Sequence, residues 1–365
     1  MNPPPVPTLD ELSTPLVLVD RTRVAANIRS MQAVCDAHRV ELRPHIKTHK
    51  MVAVARQQLE AGARGLTCAK LGEAEAMLPS GVRSLFIAHS LVDVRLAPRL
   101  AAVAAQVPDL RLAATSEEQV AALAQLAARA GLRAVVMMAL DTGLGREGAR
   151  DLAAAQRLAA QIAAHPHLTL AGFYTHEGHF YGVPPADLPA KAAAVVDQII
   201  SVRDAVDRSL PVWPGCSVTA RWMAATGRVE CVRPGAYVFG DLHLTRVCRV
   251  MQPDEAALTV LATVIDRPGP GLALIDAGSK TFSSDRTADG IHGLVTDGRD
   301  LAVVRVNEEH GYVRGRDVDA LRVGDRLNFE PAHVCTVVNL TDEVVVTEHG
   351  QFSTRWPVDA RGRTR

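Results

Sequence analysis

The sequence predicts an α/β protein in which a TIM-like (β/α)8 barrel is followed by an antiparallel β-domain. Over the first two thirds of the 365 residues, short apolar runs alternate with longer amphipathic stretches, which is typical of parallel βα units. After about residue 243 the segments become short, Val-rich and separated by Gly, Pro or Asp, which indicates antiparallel strands. We therefore expect a barrel over residues 14–243 and a β-domain over residues 244–365, to which residues 1–13 also belong.

The strands predicted for the barrel are short apolar runs, and most are followed by a helical stretch. After the first run, Val24, Ile28, Met31 and Val34 recur at helical spacing. A doubly wound open sheet remains the alternative, because alternation alone does not separate it from a closed barrel. The predicted barrel strands are LVLVD (16–20), ELRPHIK (41–47), GLTCA (65–69), SLFIAH (84–89), DLRLAA (109–114), AVVMMALD (134–141), LTLAGFYTH (168–176), VWPGCS (212–217) and ECVRPG (230–235). Those of the β-domain are ALTVLATVID (257–266), LALIDAG (272–278), LAVVRV (301–306), DRLNFEP (325–331) and EVVVTEHGQF (343–352).

Composition and charge exclude several classes of function. The 40 Lys and Arg balance the 40 Asp and Glu, so no net charge attracts the chain to nucleic acid or to an anionic membrane. The N-terminus has no signal-peptide pattern, and no apolar run approaches the roughly 20 residues of a spanning helix. The six cysteines show no CxxC spacing, which favours a reduced, cytoplasmic setting. Small molecules and further copies of the chain are the expected partners.

Polar side chains follow most of the predicted barrel strands, and catalytic groups of such barrels lie at the C-terminal ends of the strands. Among them, Lys47 lies in the run RPHIKTHK (43–50) beside the apolar Ile46. A lysine partly withdrawn from water loses its proton more readily and then acts as a nucleophile. Its neighbours Arg43, His45, His49 and Lys50 predict an electropositive pocket that suits an acidic, phosphorylated cofactor.

Two Gly-containing segments lie at the ends of the last two predicted barrel strands. They are Gly215-Cys-Ser217 and Gly235-Ala-Tyr237. Barrels commonly bind phosphate through backbone N–H groups at this position. The pair therefore predicts a phosphate site at the end of the barrel.

These motifs together resemble a known enzyme group. TPLVLVD, RPHIKTHK, GLTCAKLGEAE, DTGLGREG, GFYTHEGH, RPGAYVFGD, IDAGSK and PAHVCTVVNL occur in the order and with the spacing of the D-threonine aldolase and D-serine dehydratase group. That group belongs to the alanine-racemase-like, fold type III enzymes that use pyridoxal 5'-phosphate (PLP). The resemblance extends from about residue 14 to the C-terminus. It implies a homodimer in which each site combines the barrel of one subunit with the β-domain of the other.

The resemblance also implies roles for individual residues. Lys47 would form the Schiff base with PLP, Arg146 would approach the phenolic oxygen, and His176 or Tyr174 would lie beside the pyridine ring. Arg233 would lie at the ring nitrogen of PLP. Because an arginine keeps its own proton, the ring would stay unprotonated and be a weaker electron sink. This inference fails if Arg233 instead turns away into a salt bridge. The cofactor-binding residues at the last two strands are Ser217, Gly235 and Ala236 at the phosphate, Arg233 at the ring nitrogen, and Tyr237 on the same loop.

His333 and Cys335 are the candidate metal ligands. In an extended segment, residues two apart face the same side, so imidazole and thiolate could reach one divalent ion. Nitrogen and sulfur donors favour zinc, and the resemblance implies a metal at this place, with manganese or magnesium as alternatives. Such an ion beside the cofactor can bind the carboxylate and 3-hydroxyl of a substrate and lower the pKa of that hydroxyl.

The resemblance implies a PLP- and metal-dependent lyase that acts on D-3-hydroxy amino acids. Most motifs favour the aldolase branch, which cleaves the Cα–Cβ bond to yield glycine and an aldehyde, with His179 as candidate base for the 3-hydroxyl. Cys335 instead favours the D-serine or D-3-hydroxyaspartate dehydratase branch, which yields a 2-keto acid and ammonia. An amino-acid racemase is disfavoured because Tyr312 is the only tyrosine of the β-domain. A non-catalytic PLP-binding protein is disfavoured because such proteins lack the β-domain.

Overall fold

The computed structural model describes residues 8–365. Residues 1–7, which the sequence analysis assigns to the β-domain, lie outside the described residues. Two compact units are present. The β unit contains the described residues up to Ile28, Thr48–Met51 and Ala236–Gly362. The barrel unit contains Arg29–Lys47, Val52–Gly235 and Arg363–Arg365. The bounds 14–243 and 244–365 stay a prediction.

The chain begins with strand β1 (Leu16–Asp20) and helix α1 (Arg21–His38) and then alternates strands with helices. The barrel strands are β2 (Glu41–Leu42), β3 (Leu66–Cys68), β4 (Ser84–Ile87), β5 (Asp109–Ala114), β6 (Ala134–Ala139), β7 (Leu168–Tyr174), β8 (Val212–Trp213) and β9 (Cys231–Val232). The α-helices that follow β2 to β8 are α2 (Val52–Glu60), α3 (Leu71–Met77), α4 (Ala97–Ala104), α5 (Glu117–Arg129), α6 (Leu152–Ala164), α7 (Leu188–Asp207) and α8 (Ala220–Ala225).

The eight strands β2 to β9 form a closed parallel barrel. Strands β3 to β8 pair in chain order, and β2 pairs with β9. A parallel bridge between His45 and Thr67 joins the chain after β2 to β3. The backbone N–H of Glu230 donates to Val212 at 3.2 Å and joins β9 to β8. The closed barrel is therefore confirmed, and the open sheet is not formed.

The amphipathic pattern explains why the barrel helices form where they do. In α5, Ser116 caps the N-terminus by accepting a hydrogen bond from the Gln119 N–H at 3.2 Å. Val120 and Leu123, three residues apart, are fully buried on one face of this helix. Inside the barrel, aromatic and sulfur-containing side chains fill the core; they include Phe86, Met137, Tyr174, Trp213 and Cys231.

The strands of the β unit form one nine-stranded sheet. Strand β10 pairs with both β15 and β11, so six strands of the sheet close into a small barrel. The predicted antiparallel β-domain is therefore confirmed. Its strands are β10 (Leu258–Gly269), β11 (Leu272–Ile275), β12 (Gly293–Val295), β13 (Ala302–Val306), β14 (Gly311–Arg314), β15 (Arg326–Pro331), β16 (Glu343–Glu348) and β17 (Gln351–Pro357). Two short helices, α9 (Ser279–Phe282) and α10 (Val334–Leu340), complete the unit.

Three expectations from the sequence are corrected. Strand β1 is not a barrel strand, because it pairs antiparallel with β10 and parallel with β16. The sequence could not show this, since an apolar strand can join either sheet. His333 and Cys335 do not lie in an extended segment, because His333 is the N-cap of α10 and Cys335 is in its first turn. Arg43 is buried beside Ser84 and Asp109, which begin β4 and β5, so it lies at the end of the barrel opposite the expected pocket.

No helix among residues 8–365 is long and apolar enough to cross a membrane.

Candidate active site

Lys47 lies at the C-terminal end of the first barrel strand. It is the middle residue of a short 3-10 turn (Ile46–Thr48) that follows β2, and its partner in the turn, Ile46, is fully buried. The backbone N–H of Lys47 donates to Nδ1 of His45 at 3.4 Å. Burial and, after it, the charge of Lys47 lower the pKa of His176, and the same charge partly offsets the burial that raises the pKa of Cys216. The structure therefore brings Lys47 near the ends of β7 and β8, as expected for a barrel-mouth nucleophile.

His176 is held as a neutral imidazole at the end of β7. Its Nδ1 lies 2.7 Å from the carbonyl oxygen of Gly215, to which it donates. Burial, followed by the charge of Lys47, lowers its pKa from 6.5 to about 3. With the proton on Nδ1, the lone pair lies on Nε2. A neutral, partly buried ring suits the predicted position beside an aromatic cofactor.

The two predicted phosphate loops meet, and a buried carboxylate supports one of them. Ser217 Oγ accepts a hydrogen bond from the Gly235 N–H at 3.1 Å. Glu177 is fully buried and accepts hydrogen bonds from the Gly215 N–H at 3.2 Å and from Thr219 Oγ1 at 3.3 Å. Burial raises the pKa of Glu177. The sequence prediction gives this carboxylate no role, although it follows the end of β7 by three residues.

Arg233 is anchored to the backbone at the ends of two strands. Its Nε donates to the carbonyl oxygen of Trp213 at 3.1 Å, and its Nη2 donates to the carbonyl oxygen of Thr175. The guanidinium lies 5.3 Å from the ring centre of Phe86 and 5.2 Å from that of Tyr174. These partners hold Arg233 inside the barrel, and a contact with the ring nitrogen of PLP stays a prediction.

Gly215 lies directly against this arginine. A Cβ atom added at Gly215 would lie 2.8 Å from the Cβ atom of Arg233, so no larger residue fits there. The close approach brings the β8 loop down onto the β9 strand end, where Ser217 meets Gly235.

Arg146 lies in the loop after β6, and Tyr174 and His179 lie beside this loop. Asp141 shapes this loop by accepting hydrogen bonds from the N–H groups of Gly143 and Gly145, each at 3.0 Å. Arg146 is half exposed, and its Nη2 lies 3.5 Å from Oε1 of Glu147. Tyr174 Oη and His179 Nδ1 are buried and have no hydrogen-bond partner among the described residues.

These orphaned groups bear on the expected cofactor. A buried polar atom without a partner is costly, so two of them at the barrel mouth indicate a polar ligand. The donor set also fits PLP: a lysine amine, a neutral imidazole and the Ser217–Gly235 contact lie at the ends of β2, β7, β8 and β9.

A further cluster lies at the ends of β3, β4 and β5. Lys70 Nζ lies 2.7 Å from His89 Nε2, and burial followed by the charge of Lys70 lowers the pKa of His89. Ser90 and Thr115 share a hydrogen bond of 2.8 Å. Lys70 and His89 could be recognised from the sequence as polar residues after strands, but nothing in the sequence indicates that they pair.

Ala236 and Tyr237, the remaining residues assigned to the cofactor, lie at the start of the last segment of the β unit, Ala236–Gly362. Both are buried in a 3-10 turn (Ala236–Val238). Their assignment to the cofactor stays a prediction.

The predicted metal pair of the β unit has additional neighbours. One ligand atom from each of Asp241, His243 and His333 lies within 4.8 Å of the other two. Cys335 Sγ lies 3.3 Å from Thr48 Oγ1 and also contacts the His333 side chain. Burial lowers the pKa of His333, but Cys335 and Asp241 outweigh it and raise the pKa to about 11. Imidazole and carboxylate donors from three residues meet here, and the Cys335 thiol contacts one of them, His333; nitrogen, oxygen and sulfur donors of this kind fit a divalent cation.

Comparison with known proteins identifies the family. The model of the alanine racemase N-terminal domain matches residues 19–243, which is more than half of the chain. The chain belongs to the alanine racemase N-terminal domain family. A serine dehydratase domain model matches residues 257–347. This family assignment confirms the resemblance to the D-threonine aldolase and D-serine dehydratase group and the expectation of a PLP-dependent lyase.

Three similar proteins each match 90% or more of the chain. It is 30% identical to the D-threonine aldolase of an Arthrobacter species, over 100% of this chain and 97% of the relative. It is 34% identical to the D-threo-3-hydroxyaspartate dehydratase of Delftia sp. (strain HT23), over 90% of this chain and 92% of the relative. The crystal structure of D-threonine aldolase from Filomicrobium marinum superposes with a TM-score of 0.89 at 27% identity and covers 100% of both chains.

Variants of the dehydratase are also among the similar structures. One has a histidine replaced by alanine, and another has a cysteine two positions later replaced by alanine and is in the metal-free form. Each superposes with a TM-score of 0.86 at 29% identity and matches 96% of this chain. The spacing of the two substituted residues is the spacing of His333 and Cys335.

Proposed function

We propose that this chain is a PLP- and divalent-metal-dependent lyase that cleaves D-3-hydroxy amino acids to glycine and an aldehyde. The observation that carries the proposal is the convergence of Lys47, neutral His176 and the Ser217–Gly235 contact at the C-terminal end of one barrel. The full-length match to a D-threonine aldolase supports the aldolase outcome. The small charged substrate and a homodimeric assembly are parts of the same proposal.

The residues present would hold PLP in a defined way. Lys47 would bind its aldehyde carbon, the Ser217 hydroxyl and the Gly235 N–H would bind its phosphate, and Arg146 would neutralise its phenolic oxygen. PLP, when bound, supplies an electron sink for the electron pair released when a bond to Cα breaks. Ala236 and Tyr237 are proposed to complete the phosphate end.

The protein's own groups then move the protons. Lys47, once deprotonated, takes or returns a proton at Cα. His179 is the proposed base that takes the proton from the 3-hydroxyl, since its Nδ1 is buried and has no hydrogen-bond partner among the described residues. His176 stays neutral because its pKa is about 3, so it packs against the cofactor and transfers no proton near neutral pH.

His333 and Cys335 would hold a divalent ion, which would supply Lewis-acid stabilisation of the deprotonated 3-hydroxyl. Zinc suits this nitrogen and sulfur donor pair best, and manganese or magnesium remain alternatives. Deprotonation of the hydroxyl favours cleavage between Cα and Cβ, which is the aldolase reaction.

The second candidate is a dehydratase that converts D-serine or D-3-hydroxyaspartate into a 2-keto acid and ammonia. The observation that favours it is Cys335, because the related dehydratase structures substitute a histidine and a cysteine with the same spacing. The 34% identity to the Delftia enzyme supports the same branch.

Product analysis tests the two candidates directly. The purified protein with PLP and metal is incubated with D-threonine, and with L-threonine as the control. Glycine and acetaldehyde support the aldolase, whereas 2-oxobutyrate and ammonia support the dehydratase. The same assay with D-serine and D-3-hydroxyaspartate defines the preferred substrate, and no product from any of them contradicts both candidates.

A further inference from the structure

We propose that His243 is an additional protein ligand of the metal that His333 binds, and that Asp241 is the residue that positions His333. This inference rests on the proposed function, since it extends the metal site of that enzyme. Neither residue belongs to the His-x-Cys pair recognised from the sequence. Both come from the segment between the last barrel strand and the first long strand of the β unit.

Asp241 is buried, and its carboxylate accepts hydrogen bonds from His333 and from two backbone N–H groups. It is 1% exposed, and its Oδ2 accepts hydrogen bonds from His333 Nδ1 at 3.0 Å and from the Val334 N–H at 3.2 Å. Its Oδ1 accepts a third bond from the Leu244 N–H at 3.1 Å. Three donors around one buried carboxylate fix both the histidine and the start of helix α10. A carboxylate on Nδ1 of a ligating histidine sets the tautomer that binds a metal through Nε2.

His243 is oriented by the same type of contact. Its Nδ1 donates to the carbonyl oxygen of Ala332, the residue before His333, at 2.6 Å. The proton on Nδ1 leaves the lone pair on Nε2, which is the atom that ligates metals in this tautomer. The two imidazole rings meet edge to face, with their centres 5.8 Å apart and their planes at 87°.

The spacing of the donors fits one ion. The three residues offer ligand atoms within 4.8 Å of one another. Two ligand atoms on one tetrahedral zinc ion, with bonds of about 2.0–2.3 Å, lie roughly 3–4 Å apart. The separation of at most 4.8 Å is close to that range.

Local backbone geometry also places His243. It begins a π-helical turn (His243–Val247), and Asp241 accepts hydrogen bonds at both its backbone and its side chain from the first residues of that turn. Turns of this type are rare and occur often at functional sites. Asp241 and His243, two residues apart, are therefore presented to His333 by one short segment.

Metal titration tests the inference independently of turnover. Purified protein with PLP, stripped of metal by a chelator, is titrated with Zn²⁺ for affinity and with Co²⁺ for its visible spectrum. The variants are His243→Ala, Asp241→Asn and His333→Ala. His349→Asn removes an exposed histidine of the same unit and is the matched control.

We expect His243→Ala to weaken Zn²⁺ binding at least 10-fold and to change the Co²⁺ spectrum, and Asp241→Asn to weaken Zn²⁺ binding about 10–100-fold. His349→Asn should bind as the unchanged protein does. If His243→Ala keeps both the affinity and the Co²⁺ spectrum while His333→Ala loses binding, the inference fails and the proposed function stands. If His333→Ala also keeps its metal, the metal site of the proposed function fails. His243→Gln replaces His243→Ala if the latter does not fold.

Discussion

Nδ1 of His176 lies 2.7 Å from the carbonyl oxygen of Gly215, and this contact joins the end of β7 to the loop after β8. It orients a neutral imidazole toward the region where Lys47 and the Ser217–Gly235 contact lie. Because burial and Lys47 both oppose protonation, the pKa of His176 falls to about 3.

His176 should not titrate between pH 5 and pH 8. Since its pKa is lower in the folded than in the unfolded chain, the unfolded state binds the proton more readily. The free energy of unfolding should therefore rise as the pH increases from about 3 to about 6.5, and His176→Asn should reduce that slope. Imidazole NMR resonances of the PLP-free protein, assigned with this variant, measure the titration. A midpoint for His176 near 6.5 would contradict the prediction.

Replacement of Lys47 by alanine should abolish the visible imine absorbance of the purified protein and its turnover, because no amine remains to bind the aldehyde of PLP. Lys191→Ala removes an exposed lysine on a barrel helix and serves as the control. Absorbance spectra of both variants, recorded after identical loading with PLP, measure the imine band. A Lys47→Ala protein that keeps the band would overturn the assignment of this lysine.

Replacement of Glu177 by alanine should destabilise the barrel and release PLP. The Gly215 N–H and the hydroxyls of Thr175 and Thr219 would lose a buried acceptor, and each unsatisfied group costs about 1–3 kcal/mol. Glu177→Gln keeps one acceptor oxygen and should lose less. Urea unfolding and the dissociation constant for PLP measure the two effects. Glu60→Gln, at an exposed position, is the control, and equal stability of all three variants would disprove the role.

Changing Cys335 to aspartate should shift the metal preference. A thiolate is a soft ligand and favours zinc, whereas a carboxylate is hard and favours manganese or magnesium. We expect Cys335→Asp to bind Zn²⁺ at least about 10-fold more weakly and to gain relative affinity for Mn²⁺. Competition titrations with both ions measure the ratio. An unchanged ratio would mean that Cys335 is not a ligand.

Glu330 should make the protein less stable as the pH rises. Burial and the charge of Asp241 raise its pKa from 4.5 to about 7, although Thr245 and Arg23 act in the opposite direction. A carboxyl group with a raised pKa adds stability below its unfolded pKa, and this stability is lost as the pH rises through the folded value. Glu330→Gln should flatten the decline between pH 4.5 and about 7, which amounts to on the order of 1–3 kcal/mol.

Urea unfolding of metal-free protein at several pH values measures the effect. Asp254→Asn, at an exposed acidic position of the same unit, is the control. An identical pH dependence for Glu330→Gln and the unchanged protein would show that Glu330 is ionised throughout this range.

Much of the barrel could be predicted because its strands and helices are marked by patterns within short stretches of the chain. Period and length identify strands and helices, and the C-terminal ends of parallel strands meet at one face, so Lys47, His176 and Ser217 could be recognised as site candidates. The two phosphate loops could be paired for the same reason. Arg43 could not be placed, because its side chain packs with Ser84 and Asp109, which are distant in sequence.

The β unit shows the limits of the same reasoning. Strand β1 has no feature that distinguishes a barrel strand from a sheet strand, and only its pairing with β10 and β16 decides. The extended form expected at His333 and Cys335 was wrong because α10 begins there. Asp241 and His243 could not be connected to His333, since about ninety residues separate them along the chain.

The fold class, the family and the candidate cofactor lysine follow from the amino-acid sequence alone, because they depend on periodicity and on motifs that are contiguous in the chain. Which groups share a site follows only from the folded molecule: His176 with Gly215, Glu177 with Thr219, and Asp241 with His333. Hydrogen bonding, burial and pKa values arise between side chains that folding brings together, and no one-dimensional spacing encodes their distances.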